Sequence, residues 1–224
     1  MLPKIAQYQS PIKKSEVGKT THLLVVLPAA KELEALPPFA GADLLPGLLA
    51  RRAMKAAELA KTPVSGDLPH GGMAAWVMLD GARSRFEQQT VMRKALQPLL
   101  AERPREVAVA VFGTAEERRL AAETAVQAAL LNGVRLPTRK QKDETRPVQK
   151  LAVYGHKAAD GYARLQAHAE GSLLARELTV LPANELTPGL YRERIRQLAK
   201  DNGWKHAEFD LRKLRRMGAG AFVA

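Results

Sequence analysis

The chain has 224 residues and a formal charge of +12, from 35 Lys and Arg against 23 Asp and Glu. At about 150 residues per domain, that length suggests one complete unit and part of another. Cysteine is absent, which excludes disulfides, thiol catalysis and Cys-ligated zinc, and no apolar run is long enough to span a bilayer. The positive balance favours anionic partners, nucleic acid first among them, but it is also the ordinary solvated surface of a soluble domain.

The opening MLPKIAQYQSPIKK has no apolar signal core, so a cytoplasmic protein is expected. THLLVVLP, residues 21–28, is a β-branched-rich run closed by proline and predicts a buried strand. Similar strands are expected at MAAWVML (73–79), EVAVAVF (106–112) and QKLAVYG (149–155). Helices are expected between them. GADLLPGLLARRAMKAAELAK (41–61) carries Pro46 near its start, where proline is tolerated. Ser84 with Glu87, and Thr114 with Glu117, have the capping-box spacing. Pro98 is expected to end or kink the first of these capped helices, and Gly133 to stop the second in a positive-φ conformation.

Strands alternating with helices of this length predict an α/β layer structure with a largely parallel sheet. Residues 135–147, RLPTRKQKDETRP, have no apolar period and predict a surface loop. In DGYARLQAHAEGSLLAREL, the spacing of Tyr162, Leu165, Ala169 and Leu173 predicts a connecting helix. That helix must end at Leu181, because the residue before Pro182 is pushed out of the α region. Thr187 then offers an N-cap hydroxyl and Pro188 suits the first helical position, starting a second helix with Leu190, Ile195 and Leu198 facing inward and Gly203 closing it. After it, a strand is expected at HAEFD (206–210), a short helix at LRKLRRMG, and half a strand at AGAFVA (219–224).

Chemistry is harder to find. The histidines His22, His70, His156, His168 and His206 show no paired metal-ligand spacing, and no GxSxG elbow accompanies them. VGKT at residues 17–20 has the end of a phosphate loop, but Lys13 stands where its first glycine belongs. Glu116 and Glu117 fit a helix N-terminus, where the dipole favours carboxylates. Trp76 and Trp204 are expected as packing anchors. The basic residues best placed to meet an anion are Arg139, Lys140, Lys142, Arg146 and Lys150, although Asp143 and Glu144 interrupt them and no aromatic residue interleaves, the pattern of a solvated loop.

ARELTVLPANELTPGLYRERIRQLAK, followed later by LRRMGAGAFVA, resembles the leucyl aminopeptidase (cytosol aminopeptidase) family at the join between its two domains. The matching positions are Ala175, Arg176 and Leu178, then the junction motif Pro182, Ala183, Asn184, Thr187 and Pro188, then Met217 and Gly218. Val180 departs from the family, which usually has Asn two residues before the proline. The resemblance implies a macrodomain-like mixed sheet flanked by helices over residues 1–159. Residues 160–224 are then the connecting helix and the beginning of an incomplete second α/β domain. It implies a metallo-aminopeptidase acting on peptides as a homohexamer, with two divalent ions, manganese or zinc, polarising the scissile carbonyl and supplying a hydroxide. The family's metal-binding segments do not occur in this sequence. No catalytic or metal residue is therefore assigned here, and this chain by itself is expected to be inactive. The runner-up expectation is a DNA-binding or assembly or regulatory domain using the basic surface, with DNA held through phosphates; no ADP-ribose binding is expected.

Overall fold

The computed structural model describes residues 2–138 and 146–223. They form two compact units, Met1–Glu177 and Leu178–Ala224. The division falls inside a helix, whereas the sequence places it just before that helix, between residues 159 and 160.

The first unit is a six-stranded sheet in the order β1-β6-β5-β2-β4-β3. The strands are β1 (Lys4–Tyr8), β2 (His22–Pro28), β3 (Val64–Asp67), β4 (Met73–Leu79), β5 (Glu106–Val111) and β6 (Lys150–Tyr154). All neighbours run parallel except β3 against β4, so the sheet is mixed and mostly parallel as the alternation of elements predicts. β2 is central, with Val25 opposite Trp76 on one side and Ala110 on the other. Both edge strands escape a hydrophobicity reading for physical reasons. KIAQY and VSGD are short and only partly buried, so neither carries an apolar run.

Period-two alternation sends the central strands' side chains to two separate cores. Leu24, Val26, Val77, Val109 and Val153 face a core closed by α3 (Arg85–Ala101), α4 (Ala115–Asn132) and the start of α5 (Ala163–Val180). Leu23, Val25, Leu27, Trp76 and Met78 face the other, closed by Leu45 and Leu49 of α2 (Leu45–Arg51) and by Leu59 of a 3-10 turn, Ala56–Ala60. Among the described residues this unit also holds the single turn α1 (Lys14–Val17) and a 3-10 turn, Leu33–Ala35. Trp76 is fully buried, and its indole N–H donates to the Ala40 carbonyl at 3.0 Å. Gly41 is required beside it: φ is +74°, and a Cβ there would stand 2.5 Å from the Trp76 ring.

Several local expectations hold and several fail. Ser84 and Thr114 cap α3 and α4 with reciprocal capping boxes. α3 nevertheless runs through Pro98 to Ala101. The carbonyl that proline leaves without its usual partner belongs to Lys94, which is solvent-exposed, while buried Leu96 and Leu99 hold the last turn on the sheet. The helix expected over 41–61 breaks after Arg51, where Ala53 takes φ of +51°. Gly133 closes α4 at φ of −85°, not in a positive-φ conformation. Its glycine answers a steric demand instead, since a Cβ would lie 2.8 Å from the Ala129 carbonyl oxygen and 3.0 Å from Val148.

The second unit holds the last turn of α5, then α6 (Pro188–Asn202) and α7 (Leu211–Arg216). The two strands expected here do not form. Residues 206–210 are irregular, and Gly220–Phe222 make a 3-10 turn. A strand needs a neighbour to accept its backbone hydrogen bonds, and the unit's described residues offer none. Of the expected inward stripe, Leu190 is 44% and Ile195 37% accessible while Leu198 is half-buried; Trp204 is 59% accessible and anchors no core among the described residues.

Candidate functional site

The junction motif is built from backbone chemistry. α5 ends at Val180, and the N–H groups of Glu185 and Leu186 donate to the Pro182 carbonyl at 2.9 and 3.1 Å. This closes a tight turn with Ala183 and Asn184 exposed at its tip. Thr187 Oγ1 accepts the Leu190 N–H at 3.3 Å, and Pro188 occupies the first turn of α6 without wasting a donor. Gly203 ends α6 at φ of +67°.

Beyond that cap, Glu208 fastens the irregular segment back onto α6. Its carboxylate accepts from Arg192 and, at 2.6 Å, from Arg196 Nη2, while His206 Nε2 stands 3.6 Å away. The Arg192 hydrogen bond leads the Glu208 carboxyl below the usual carboxylate range. No local sequence spacing announces this clasp, because its partners lie 12 and 16 positions apart.

The basic loop is less concentrated than its sequence. Arg139, Lys140 and Lys142 lie outside the described residues. Arg146 is exposed, and Lys150, at the start of β6, is paired through Nζ with Glu106 Oε1 at 2.7 Å. That hydrogen bond raises the Lys150 pKa and gives its ammonium a partner within the protein.

Ligands of open parallel sheets are received outside the carboxyl ends of the strands. Here that edge holds a cavity of about 190 Å³ lined by Leu27, Pro28, Leu79, Phe112 and Glu117. The helix N-termini nearby carry their own anions. Glu117 Oε2 accepts the Thr114 N–H at 2.8 Å, and Glu87 Oε2 accepts the Ser84 N–H at 3.1 Å. Glu87 is held below the usual carboxylate range, chiefly by the Ser84 hydroxyl. A phosphate approaching either end meets a carboxylate already seated.

VGKT is no phosphate loop in three dimensions. Gly18 ends α1, the Thr20 hydroxyl donates to the Glu16 carbonyl at 2.8 Å, and a strand follows where a phosphate loop would open a helix. The histidines serve separate local roles. His22 meets Glu102 at 2.8 Å, tying the start of β2 to the end of α3, and His70 meets the Thr20 carbonyl at 2.9 Å. Among the described residues, no group of three or more His, Asp or Glu could hold a metal ion. The described side chains therefore do not fit the metal pair that the family resemblance implies.

Over 92 residues, 38% of this chain, the sequence is 36% identical to the cytosol aminopeptidase of Pseudomonas aeruginosa. A probable cytosol aminopeptidase of Pseudomonas paraeruginosa matches to the same extent. The match spans 19% of each relative's length. Among solved structures, a tomato leucine aminopeptidase variant superposes with a TM-score of 0.66 at 19% identity, covering 90% of this chain and 43% of its own. The bottromycin maturation enzyme BotP does so with a TM-score of 0.55 at 22% identity, covering 88% of this chain and 41% of its own. No family model matches the chain. The resemblance to leucyl aminopeptidases is thus carried by sequence over 92 residues and by fold over most of the chain.

Proposed function

We propose that this chain is the leading part of a leucyl-type metallo-aminopeptidase that removes N-terminal residues from peptides in the cytosol. The six-stranded unit would serve as its N-terminal domain, and residues 178–224 as the entry to the peptidase domain. The observation that carries the reading is the 36% identity to cytosol aminopeptidases over 92 residues. The Pro182 to Pro188 turn supports it, because its residues resemble the join between the family's two domains, as does the fold likeness to leucine aminopeptidase. A homohexamer and a manganese or zinc pair belong to the same proposal for the whole protein.

In this reading the chain contributes architecture, not catalysis. Its residues cap, orient and connect: Glu87 and Glu117 are engaged in helix caps and Glu208 in an ion pair. The test compares the protein isolated from its source with the 224-residue chain, each assayed on leucine p-nitroanilide with manganese or zinc. Metal-dependent release by the former and none by the latter is expected. Release by the chain that survives re-purification, or its absence from the source protein, overturns the proposal.

A further inference from the structure

Away from the sheet edge and the junction, a pocket of about 450 Å³ opens between the N-terminal turns of α3 and α5 and the flank of α4. It is polar, and its charges do not cancel. Of its two carboxylates, Glu123 is taken by Arg119 at 2.9 Å, and Asp160 accepts the backbone N–H groups of Tyr162 and Arg164 at 2.9 and 3.1 Å. Arg119 is in turn held by Glu116 at 2.5 Å. Arg85 and Arg164 also line the pocket, and neither guanidinium makes an ion pair or hydrogen bond among the described residues, although the charge of Arg164 acts on Asp160.

Tyr162 contributes the second observation. It lines the pocket, is 1% exposed, and its hydroxyl has no hydrogen-bond partner among the described residues. A buried hydroxyl without a partner costs free energy, and such groups in native folds ask for a reason. Its backbone adds to that cost, because φ is +63° in a bulky non-glycine residue. The Asp160 turn holds it there. Strained, unsatisfied residues of this kind gather at ligand sites.

We propose that this pocket binds a small oxyanion, the carboxylate or phosphate group of a molecule of amino-acid to mononucleotide size. Arg85 and Arg164 hold the charge and the Tyr162 hydroxyl donates at the floor. Two guanidinium groups present the planar donor pairs that both kinds of anion accept. The volume falls within the usual range for small-molecule sites, roughly 300–1,000 Å³. The inference does not depend on the peptidase reading, since every residue it uses lies in the first unit.

The test titrates the 224-residue chain with inorganic phosphate, and separately with succinate, at constant ionic strength in chloride, by calorimetry and thermal shift. Saturable binding of at least one anion is expected, and the arm that saturates identifies the group. Arg85→Ala with Arg164→Ala should weaken it at least tenfold, while Arg212→Ala, in the second unit, should leave it unchanged. Tyr162→Phe gives an independent readout. Without anion it should melt at the same temperature as the parent or higher, because an unpaired hydroxyl is removed; with anion it should bind several-fold more weakly. No saturable binding, binding indifferent to the double arginine variant, or a lower melting temperature for Tyr162→Phe in chloride alone would overturn the proposal.

Discussion

Two glycine-to-alanine substitutions in the first unit should act in opposite directions. Gly155 follows β6 with φ of +96°, and a Cβ there would stand 2.4 Å from the backbone oxygen of Val111. Its N–H donates to the carbonyls of Tyr8 and Ser10, both at 3.0 Å, so the backbone cannot turn away without breaking the link to β1. The obstructing atom is main chain inside the sheet, with no flexible side chain to yield. Left-handed backbone costs an L-residue about 1–2 kcal/mol, and forcing atoms into a packed site costs about 1–3 kcal/mol more. Gly155→Ala should therefore lose about 2–5 kcal/mol, a large share of a domain stability of roughly 5–15 kcal/mol. Gly171, inside α5, has nothing within 4 Å of a built Cβ. Gly171→Ala should gain about 0.5–1 kcal/mol through helix propensity alone. Urea unfolding followed by Trp76 fluorescence, in a Trp204→Phe background, isolates the unit that holds both sites. A loss below about 1 kcal/mol at Gly155, or a greater loss at Gly171 than at Gly155, would refute the argument from backbone geometry.

The pH dependence should carry the mark of His156, whose pKa is lowered by burial first and by Arg119 and Arg118 besides, with Glu123 opposing. Just below the ordinary histidine value of 6.5 the unfolded chain then holds more protons than the folded one, so stability should be full above that pH and fall as pH drops toward the folded-state pKa. Denaturant midpoints between about pH 5 and 8 should show this slope, and His156→Gln should flatten it. Thr187→Ala removes the cap that accepts the Leu190 N–H and should cost α6 about 1 kcal/mol; amide exchange should then quicken in the first turn of α6 and stay unchanged in α4. For the basic loop, replacing Arg139, Lys140 and Lys142 by alanine should flatten the salt slope of any DNA binding by up to about one unit for each phosphate no longer neutralised. Equal slopes in a filter-binding titration would show that the loop touches no phosphate.

The sequence alone determined the features whose causes are local. THLLVVLP, MAAWVML, EVAVAVF and QKLAVYG contain the four central strands because a doubly covered strand must be apolar on both faces. Ser84, Thr114 and Thr187 announced helix starts, and Pro182 a helix end, because capping hydroxyls and ring sterics act within four residues. What only the tertiary structure decided depends on distant partners. β1 exists because β6 offers it a ladder, and the residues of HAEFD remain irregular because no described strand does the same for them. Gly133 is glycine for Val148 and for its own helix, not for a left-handed turn. Tyr162 reads in the sequence as one more apolar helix position, yet the Asp160 turn sets it at positive φ, its hydroxyl without a described partner, in the lining of a pocket that Arg85 and Arg164 share. Spacing along the chain cannot express that meeting, because Arg85 is brought to Tyr162 only by the packing of α3 and α5 on one face of the sheet.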